Sequence, residues 1–469
     1  MSNTLKLLID GALVEGANTL DVINPATGEI FIKVSRASEA QAFAAVAAAK
    51  KAFPLWAALS YAERGTYVLR FADAVEAKSE ALVRMLTLEQ GKPLAEARFE
   101  VALSVANLRF HAAQDLESTV IHATESQTVI RQRSPHGVVV AIAPWNFPVW
   151  ILIAKLGAAL MTGNTAIGKP APTTPVTTLM LGDIAVDIFP PGVFQTVIDE
   201  HDLAPLLTSH PDVNYVSFTG STVTGKKVLN STVSTLKRCT LELGGNDAAI
   251  VLDDADIKTV AAKVYAASFM NAGQICFATK RVYVPNTMIK AFVAELACLL
   301  DLAKPGEGLD ETSTIGPVQN KAQYDKIRAF IDEARELGTV RAGSQPVPAE
   351  GYFIPPTLVT GLADDARLVQ EEQFGPVLPI LGYDDIEDMI QRANDSAFGL
   401  GASVWTSNTQ RGIEVASRIE SGTVWVNTHL DLPFDVPFGG AKQSGIGQQG
   451  GIEGMEDYTQ VRIVNAALV

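Results

Sequence analysis

Four short stretches carry side chains or backbone suited to chemistry. "FMNAGQICFATKRVYV" (269–284) holds Cys276, one of three cysteines beside Cys239 and Cys298. A thiolate attacks electrophilic carbon, yet free cysteine is also among the most buried residues. Cys276 is therefore either a nucleophile or a small packing side chain. "TLELGGND" (240–247) sets Glu242 between Leu241 and Leu243, ahead of Gly244 and Gly245. Desolvated there, the carboxylate has a raised pKa and can act as a base near neutral pH. On strand alternation alone it merely points to a polar face. "PWNFP" (144–148) holds Asn146 between two prolines. Its amide is either a rigid oxyanion donor or the partner of its own loop. "FTGSTVTG" (218–225) ends a strand in glycine and serine and enters a helix, a turn whose N–H groups suit a phosphate. It lacks the GxGxxG spacing, so it does not by itself establish a dinucleotide site.

These stretches need a frame to hold them. The chain has 469 residues, enough for two or three domains, and is 47% hydrophobic, enough for a substantial core. From 38 to about 117 apolar residues recur at helical spacing. Then "TVIHATESQTVIRQR" (119–133) predicts a hairpin. Strands and helices alternate after it: "GVVVAIAP", a helix over 151–161, "NTAIGKP", a helix over 173–188, "NYVSFTG", and a helix from Thr222. A second such run starts near "LELGGNDAAIVLDDADI" and continues to about Phe438, with "KRVYVP", a helix over 288–302 and "GTVWVN". This alternation predicts an α/β fold with doubly wound parallel sheets and a ligand at the strands' carboxyl ends. The acidic runs "DDAD" (253–256) and "GYDDIEDMI" (382–390) read as helix starts, not cation sites.

Lys and Arg total 37 against 52 Asp and Glu, a net charge of −15, which disfavours nucleic acid and anionic membranes as partners. Three cysteines and six histidines without ligand spacing predict neither a disulfide framework nor a metal site. The apolar stretch 138–154 is broken by Pro144, Asn146 and Pro148, so it reads as core and not as a membrane span. The N-terminus has no signal-peptide layout, and a reducing, cytoplasmic setting is expected.

Taken in order, "PWNFP", "GKPAPTTP", "FTGSTVTG", "LELGGND", "AGQIC", "EEQFGPV" and "PFGGAKQSGIG" resemble the aldehyde dehydrogenase superfamily over nearly the whole chain. The 34 residues from Glu242 to Cys276 match the spacing of that family's base and nucleophile. The resemblance implies two Rossmann-like domains with a small β extension. Residues 1–117 and 135–243 would bind NAD(P), 244–440 would carry the nucleophile, and 118–134 with 441–469 would form an oligomerisation segment. It implies that Cys276 attacks an aldehyde, that Asn146 and the Cys276 N–H hold the oxyanion, and that hydride passes to nicotinamide. Glu242 would then activate water against the thioester, with Lys155 in support. Ile142, Trp145, Lys169, Gly220, Ser221, Gly244, Glu372 and Phe374 would bind the cofactor. Cys239 and Cys298 match no catalytic motif and are expected to pack.

Three positions depart from the family pattern. Pro172 stands where NAD-preferring relatives carry a Glu that repels a 2′-phosphate, so NAD is favoured over NADP only slightly. Asn246 replaces a lysine near the base. Ala154 precedes Lys155 where succinic-semialdehyde relatives carry Arg. The expected substrate-facing residues, Phe110, Trp150, Phe277, His429 and Phe434, are mostly apolar, which suits an uncharged aliphatic or aromatic aldehyde. An acidic-semialdehyde dehydrogenase, a CoA-acylating enzyme and a non-catalytic protein of the same fold are the alternatives. Retention of Glu242 disfavours the second, and the full set of three chemical groups disfavours the third. The tail "DYTQVRIVNAALV" has no strand partner nearby in sequence. In the family it pairs with the hairpin across subunits, so a homodimer or homotetramer is expected.

Overall fold

The computed structural model describes residues 5–467. Two small antiparallel hairpins, Leu7–Ile9 with Ala12–Val14 and Asn18–Asn24 with Glu29–Arg36, precede four helices. Those helices, Glu39–Ala57, Tyr61–Ala77, Ser79–Gln90 and Leu94–Ala112, fill the region expected to be helical. Ser38 and Ser60 start the first two through capping boxes, in which a serine hydroxyl and a Gln41 or Glu63 side chain satisfy each other's backbone.

Two parallel sheets follow, as the alternation predicts. The first has the order Gly445–Ile446, Arg238–Glu242, Tyr215–Thr219, Val138–Ile142, Thr165–Lys169, Phe194–Thr196, parallel except for its first strand. The second runs Thr339–Ala342, Thr357–Thr360, Val377–Tyr383, Thr279–Pro285, Asp247–Val251, Gly401–Trp405, Thr423–Val426, again parallel except for its first strand. Strands Val138–Ile142, Thr165–Lys169 and Tyr215–Thr219 are buried throughout; the first reads as a continuous apolar run, while the others carry Thr165 and Lys169, and Ser217 and Thr219, among their apolar residues. The stretch 138–154 is strand, turn and the start of helix Pro148–Met161, all in the core. Among the described residues no helix is long and apolar enough to cross a membrane.

Two acidic side chains from the N-terminal helices hold this sheet's helices in place. Glu89 accepts from the N–H groups of Val176 and Thr177, at the start of helix Val176–Ala185. Glu100 accepts from Val149 and Trp150, at the start of helix Pro148–Met161. Each carboxylate meets the orphan donors and the positive end of a helix dipole.

The hairpin expected at 119–133 is present as Thr119–Ala123 with Gln127–Pro135. The expectation that the tail pairs with it across subunits is corrected. Strand Thr459–Ala467 lies antiparallel to Gln127–Pro135 of the same chain over nine residue pairs. Pairing within one chain carries only the entropy of closing a loop, without that of bringing two molecules together. The acidic helix starts are also as expected: Asp256 caps Ile257–Phe269 and Asp385 caps Ile386–Asn394.

Candidate active site

The carboxyl ends of the first sheet and the amino ends of the second face one cleft of about 160 Å³, bordered by Trp145, Asn146, Gly220, Ser221, Gly244, Cys276, Glu372 and Phe374. The expectation of a ligand at the strands' carboxyl ends is corrected for the second sheet, whose cleft residues precede strands Asp247–Val251, Thr279–Pro285 and Val377–Tyr383. Eight expected site residues, from five separate stretches of sequence, therefore share one lining.

Cys276 follows a turn that few sequences tolerate. Asn271, Ala272 and Gly273 are consecutively left-handed, at φ 51°, 53° and 73°. Glu96 holds the turn through the Asn271 N–H, at 3.1 Å from each carboxylate oxygen. Cys276 itself is half-buried, and burial pushes its thiol up to about 12. Lys280 acts in the opposite sense, while Glu372, Glu242 and Asp247 reinforce the rise.

Asn146 is fixed from both sides, as the two prolines suggest. Its carbonyl accepts from Lys92 Nζ at 2.9 Å and Asn271 Nδ2 at 3.1 Å. Its own amide donates to the Gln274 carbonyl at 2.9 Å. One amide proton is thus spent on orientation and the second is left for an oxygen in the cleft.

Glu242 ends its strand directly beside Thr219 and just behind the cleft-lining Leu243. Both carboxylate oxygens are buried without a hydrogen-bond partner among the described residues. Burial raises its pKa well above the ordinary value, the Lys155 ammonium opposes this, and Asp457 adds to it. Lys155 is buried on helix Pro148–Met161, and burial pulls it down to about 7. It donates to Ser217 Oγ at 2.9 Å, which also accepts from Tyr458 Oη at 2.8 Å. Asn246 turns away from this group, its amide donating to the Val369 carbonyl, so its replacement of a lysine leaves Glu242 facing Lys155 and Asp457.

The other side of the cleft fits a dinucleotide. Ser221 caps helix Thr222–Thr232 through Thr224, so Gly220 and Ser221 present a helix N-terminus to the opening. Glu372 accepts from the Gly245 N–H at 2.9 Å, and a Cβ on Gly244 would stand 2.5 Å from its other oxygen. Glycine is required there for the carboxylate to lie in the cleft. Phe374 has a φ of 51° and meets Trp145 edge-on, ring centres 5.2 Å apart. Two residues absent from the sequence expectations hold that loop: Gln323 donates to the carbonyls of Gln373 and Phe374, and Lys326 to that of Glu372. They sit on helix Lys321–Leu337 with no motif to mark them.

Two expected cofactor residues stand off the cleft. Ile142 is in the core of the first sheet. Lys169 is buried in a 2.6 Å ion pair with Asp199, which also accepts from the Leu203 and Ala204 N–H groups. Nothing in the sequence around Asp199 signalled that pairing.

The expected substrate residues do not form one wall. Phe277 packs on Phe438 and Trp425, in the same apolar cluster that receives Cys276, Trp150, Leu430 and Leu432. Phe110 meets Phe434 with ring centres 6.0 Å apart. His429 donates from Nε2 to the Phe277 carbonyl at 2.7 Å, and burial pulls it down to about 4, so the ring is neutral. It also borders a second cavity of about 430 Å³, with Glu96, Tyr265, Met270 and Leu430.

Comparison with known proteins gives the same assignment. The sequence profile described as aldehyde dehydrogenase family matches residues 13–464. A betaine aldehyde dehydrogenase of Rhizobium leguminosarum bv. trifolii is 36% identical, over 97% of this chain and 96% of that protein. Betaine aldehyde dehydrogenase from Staphylococcus aureus, solved in complex with NAD+, superposes with a TM-score of 0.95 at 32% identity, covering 98% of this chain and 95% of that one. A crystal structure described as an E. coli NADP dependent enzyme has a TM-score of 0.96 at 34% identity, covering 99% and 98%. With profile, sequence and fold in agreement, the chain belongs to the aldehyde dehydrogenase family of NAD- or NADP-using oxidoreductases.

Proposed function

We propose that this protein oxidises an aldehyde to its carboxylic acid through a covalent intermediate on Cys276. The observation that carries this reading is the single cleft in which Cys276 and Asn146 border Gly220, Ser221, Glu372 and Phe374. The Cys276 thiolate adds to the carbonyl carbon, giving a thiohemiacetal whose oxyanion the Asn146 amide and the Cys276 N–H receive. The nicotinamide, held by Glu372 and Phe374, supplies the hydride acceptor when bound. Glu242 takes a proton from the water that cleaves the resulting thioester, and Lys155 stabilises the ionised carboxylate. Gly220 and Ser221 receive the pyrophosphate. The first sheet and its helices would be the dinucleotide half, and the second sheet the half carrying the nucleophile.

The substrate is an uncharged aliphatic or aromatic aldehyde, because the apolar cluster against which Cys276 packs also takes in Phe277, Trp150, Leu430 and Leu432. A second reading, a cationic aldehyde such as betaine aldehyde, draws on the named relatives and on Glu96 bordering the larger cavity. NAD is favoured slightly, since the Lys169 charge is engaged by Asp199 and less able to attract a 2′-phosphate. The working form is a homodimer or homotetramer; Val120, Ile121, Val461 and Ile463 stand exposed on the three-stranded sheet. Three free cysteines suit a reducing cytoplasm.

The test is reduction of NAD and NADP with hexanal, benzaldehyde, succinic semialdehyde and betaine aldehyde, with Cys276→Ser alongside. Turnover by the wild type and none by the variant supports the mechanism, and the panel ranks the substrates. Equal activity of the serine variant would remove Cys276 as nucleophile. Turnover that required added CoA would establish an acylating enzyme instead.

A further inference from the structure

Behind Cys276 lies a lysine that the reaction scheme leaves without a role. Lys280 is 1% exposed and begins strand Thr279–Pro285 one residue after Thr279. Its ammonium donates to three carbonyls of the preceding turn: Cys276 at 2.6 Å, Ile275 at 2.8 Å and Ala278 at 3.3 Å. An ammonium has three protons, and a backbone of four residues satisfies all three. This is a costly arrangement for a merely structural lysine, since burying the charge must be offset by those bonds. Glu372, one of the two residues proposed to hold the nicotinamide, stands 4.0 Å away, and the Phe374 ring centre 5.9 Å away.

The surrounding charges make the position informative. The ionisable groups acting on Cys276 come from four elements: Lys280 on its own strand, Glu372 from the loop after helix Arg367–Gln370, Glu242 from the first sheet, and Asp247 from the neighbouring strand. Three are acids, which oppose a thiolate. Lys280 is the one cation in that set. His429 also faces Lys280 and is neutral. No other charged group in the set can favour the anion at Cys276.

We propose that Lys280 is the positioning residue of the nucleophile: its ammonium draws the carbonyls of Ile275, Cys276 and Ala278 inward and is the counter-charge against which the Cys276 thiolate forms. The inference rests on the reading of Cys276 as nucleophile, and it adds a cation that joins that nucleophile to Glu372 on the cofactor side. Pulling the Cys276 carbonyl to the interior leaves its side chain on the cleft, where the structure has it. A thiolate reacts and a thiol does not, so the charge should be visible in thiol reactivity without any cofactor.

The experiment is alkylation of the full-length protein by iodoacetamide from pH 6.5 to 10.5, without cofactor, read by mass spectrometry of the peptide containing Cys276. Peptide resolution separates it from Cys239 and from the exposed Cys298. Wild type, Lys280→Met and Lys280→Arg are compared, with thermal unfolding as the check of folding. Throughout that range, which lies below the thiol's midpoint, Lys280→Met is expected to alkylate roughly tenfold more slowly than wild type at each pH. Lys280→Arg is expected to restore the wild-type alkylation rate. Lys280→Gln, which keeps donors for two carbonyls, takes the place of the methionine variant if that fails to fold. A purely structural lysine would lower the melting temperature and leave the alkylation rate unchanged; that result, or an arginine variant slowed as far as the neutral ones, overturns the proposal. Failure of the underlying reading is distinguishable, because Cys276→Ser would then retain turnover whatever Lys280 does.

Discussion

Two buried lysines stand behind the cleft, one from each sheet's side, and they are solvated by the protein in different ways. Lys280 has three carbonyl oxygens within 3.3 Å and a carboxylate at 4.0 Å. Lys155 has one hydroxyl, Ser217, and looks toward a carboxylate that has no hydrogen bonds of its own. Burial pulls Lys155 down to about 7. The contrast shows that depth alone does not determine what a buried lysine can do; the oxygens around it do. Lys155 can change charge near neutral pH, beside a group that must give and take a proton. Lys280 has every proton engaged, beside a group that needs a steady positive charge. On the proposed reading, one end of the cleft serves proton movement and the other holds an anion.

The largest expected effect comes from breaking the proton-moving side. Glu242→Gln should cut steady-state turnover by roughly 10²–10⁴, the usual span for a general base. A single burst of reduced cofactor should survive in stopped-flow, because only hydrolysis needs that carboxylate. Full steady-state turnover in this variant would end its assignment as base.

Asn146 lies between the two sides, with its amide tied to Gln274 on the nucleophile turn. Asn146→Ala should lower kcat by roughly 10²–10³, as loss of one oxyanion donor does. Its cofactor affinity, measured by fluorescence titration, should hardly change. A fall in affinity with kcat intact would place the amide in binding and not in catalysis.

Lys155→Met sharpens the comparison through pH. Glu242 must be ionised to act, so turnover should rise as pH rises through its elevated pKa. The Lys155 ammonium lowers that pKa, so its removal should shift the rising limb to higher pH, with roughly a tenfold deficit near pH 7. Asp457 raises the same pKa, so Asp457→Asn should shift the limb the other way and by less, because Asp457 is the weaker of the two charges. Shifts of the same sign in both variants would contradict the electrostatic account.

The smallest effect on activity belongs to Glu89, a buried carboxylate remote from both lysines. Burial raises it to about 7 against the hydrogen bonds from Thr177 and Val176. Since its folded pKa lies above the unfolded 4.5, its neutral form stabilises the protein fully below pH 4.5, and that contribution is lost as pH rises through about 7. Wild type should therefore lose stability relative to Glu89→Gln across this window, by at most about 3 kcal/mol. Urea midpoints at pH 5 and pH 8 measure it, and the pH profile of kcat should stay put.

Much of this architecture was legible before any coordinates. A fully buried parallel strand reads as an unbroken apolar run, so Val138–Ile142 was evident, and Thr165–Lys169 and Tyr215–Thr219 followed from short, mostly apolar stretches alternating with helices. Val377–Tyr383 was not, because Pro379 interrupts it and the pattern gives no period. The tail illustrates a different limit. Its β-branched residues marked a strand, but nothing local said that the partner lay more than three hundred residues upstream in the same chain.

What the sequence by itself determined is the family and the motifs that hold the proposed reacting groups: Cys276, Glu242, Asn146 and the loop of Glu372 and Phe374, each among residue types that have a chemical reason. Only the tertiary structure decided which charges act on them. Lys280 and Cys276 are four apart in sequence, yet no pattern shows that an ammonium will gather three carbonyls. Lys155 and Glu242 are 87 residues apart, and Lys169 and Asp199 come together from separate strand ends. Motifs record which atoms react, because that chemistry tolerates few substitutions. Charge and solvation depend on distance and burial, which exist only once the two sheets have closed on each other.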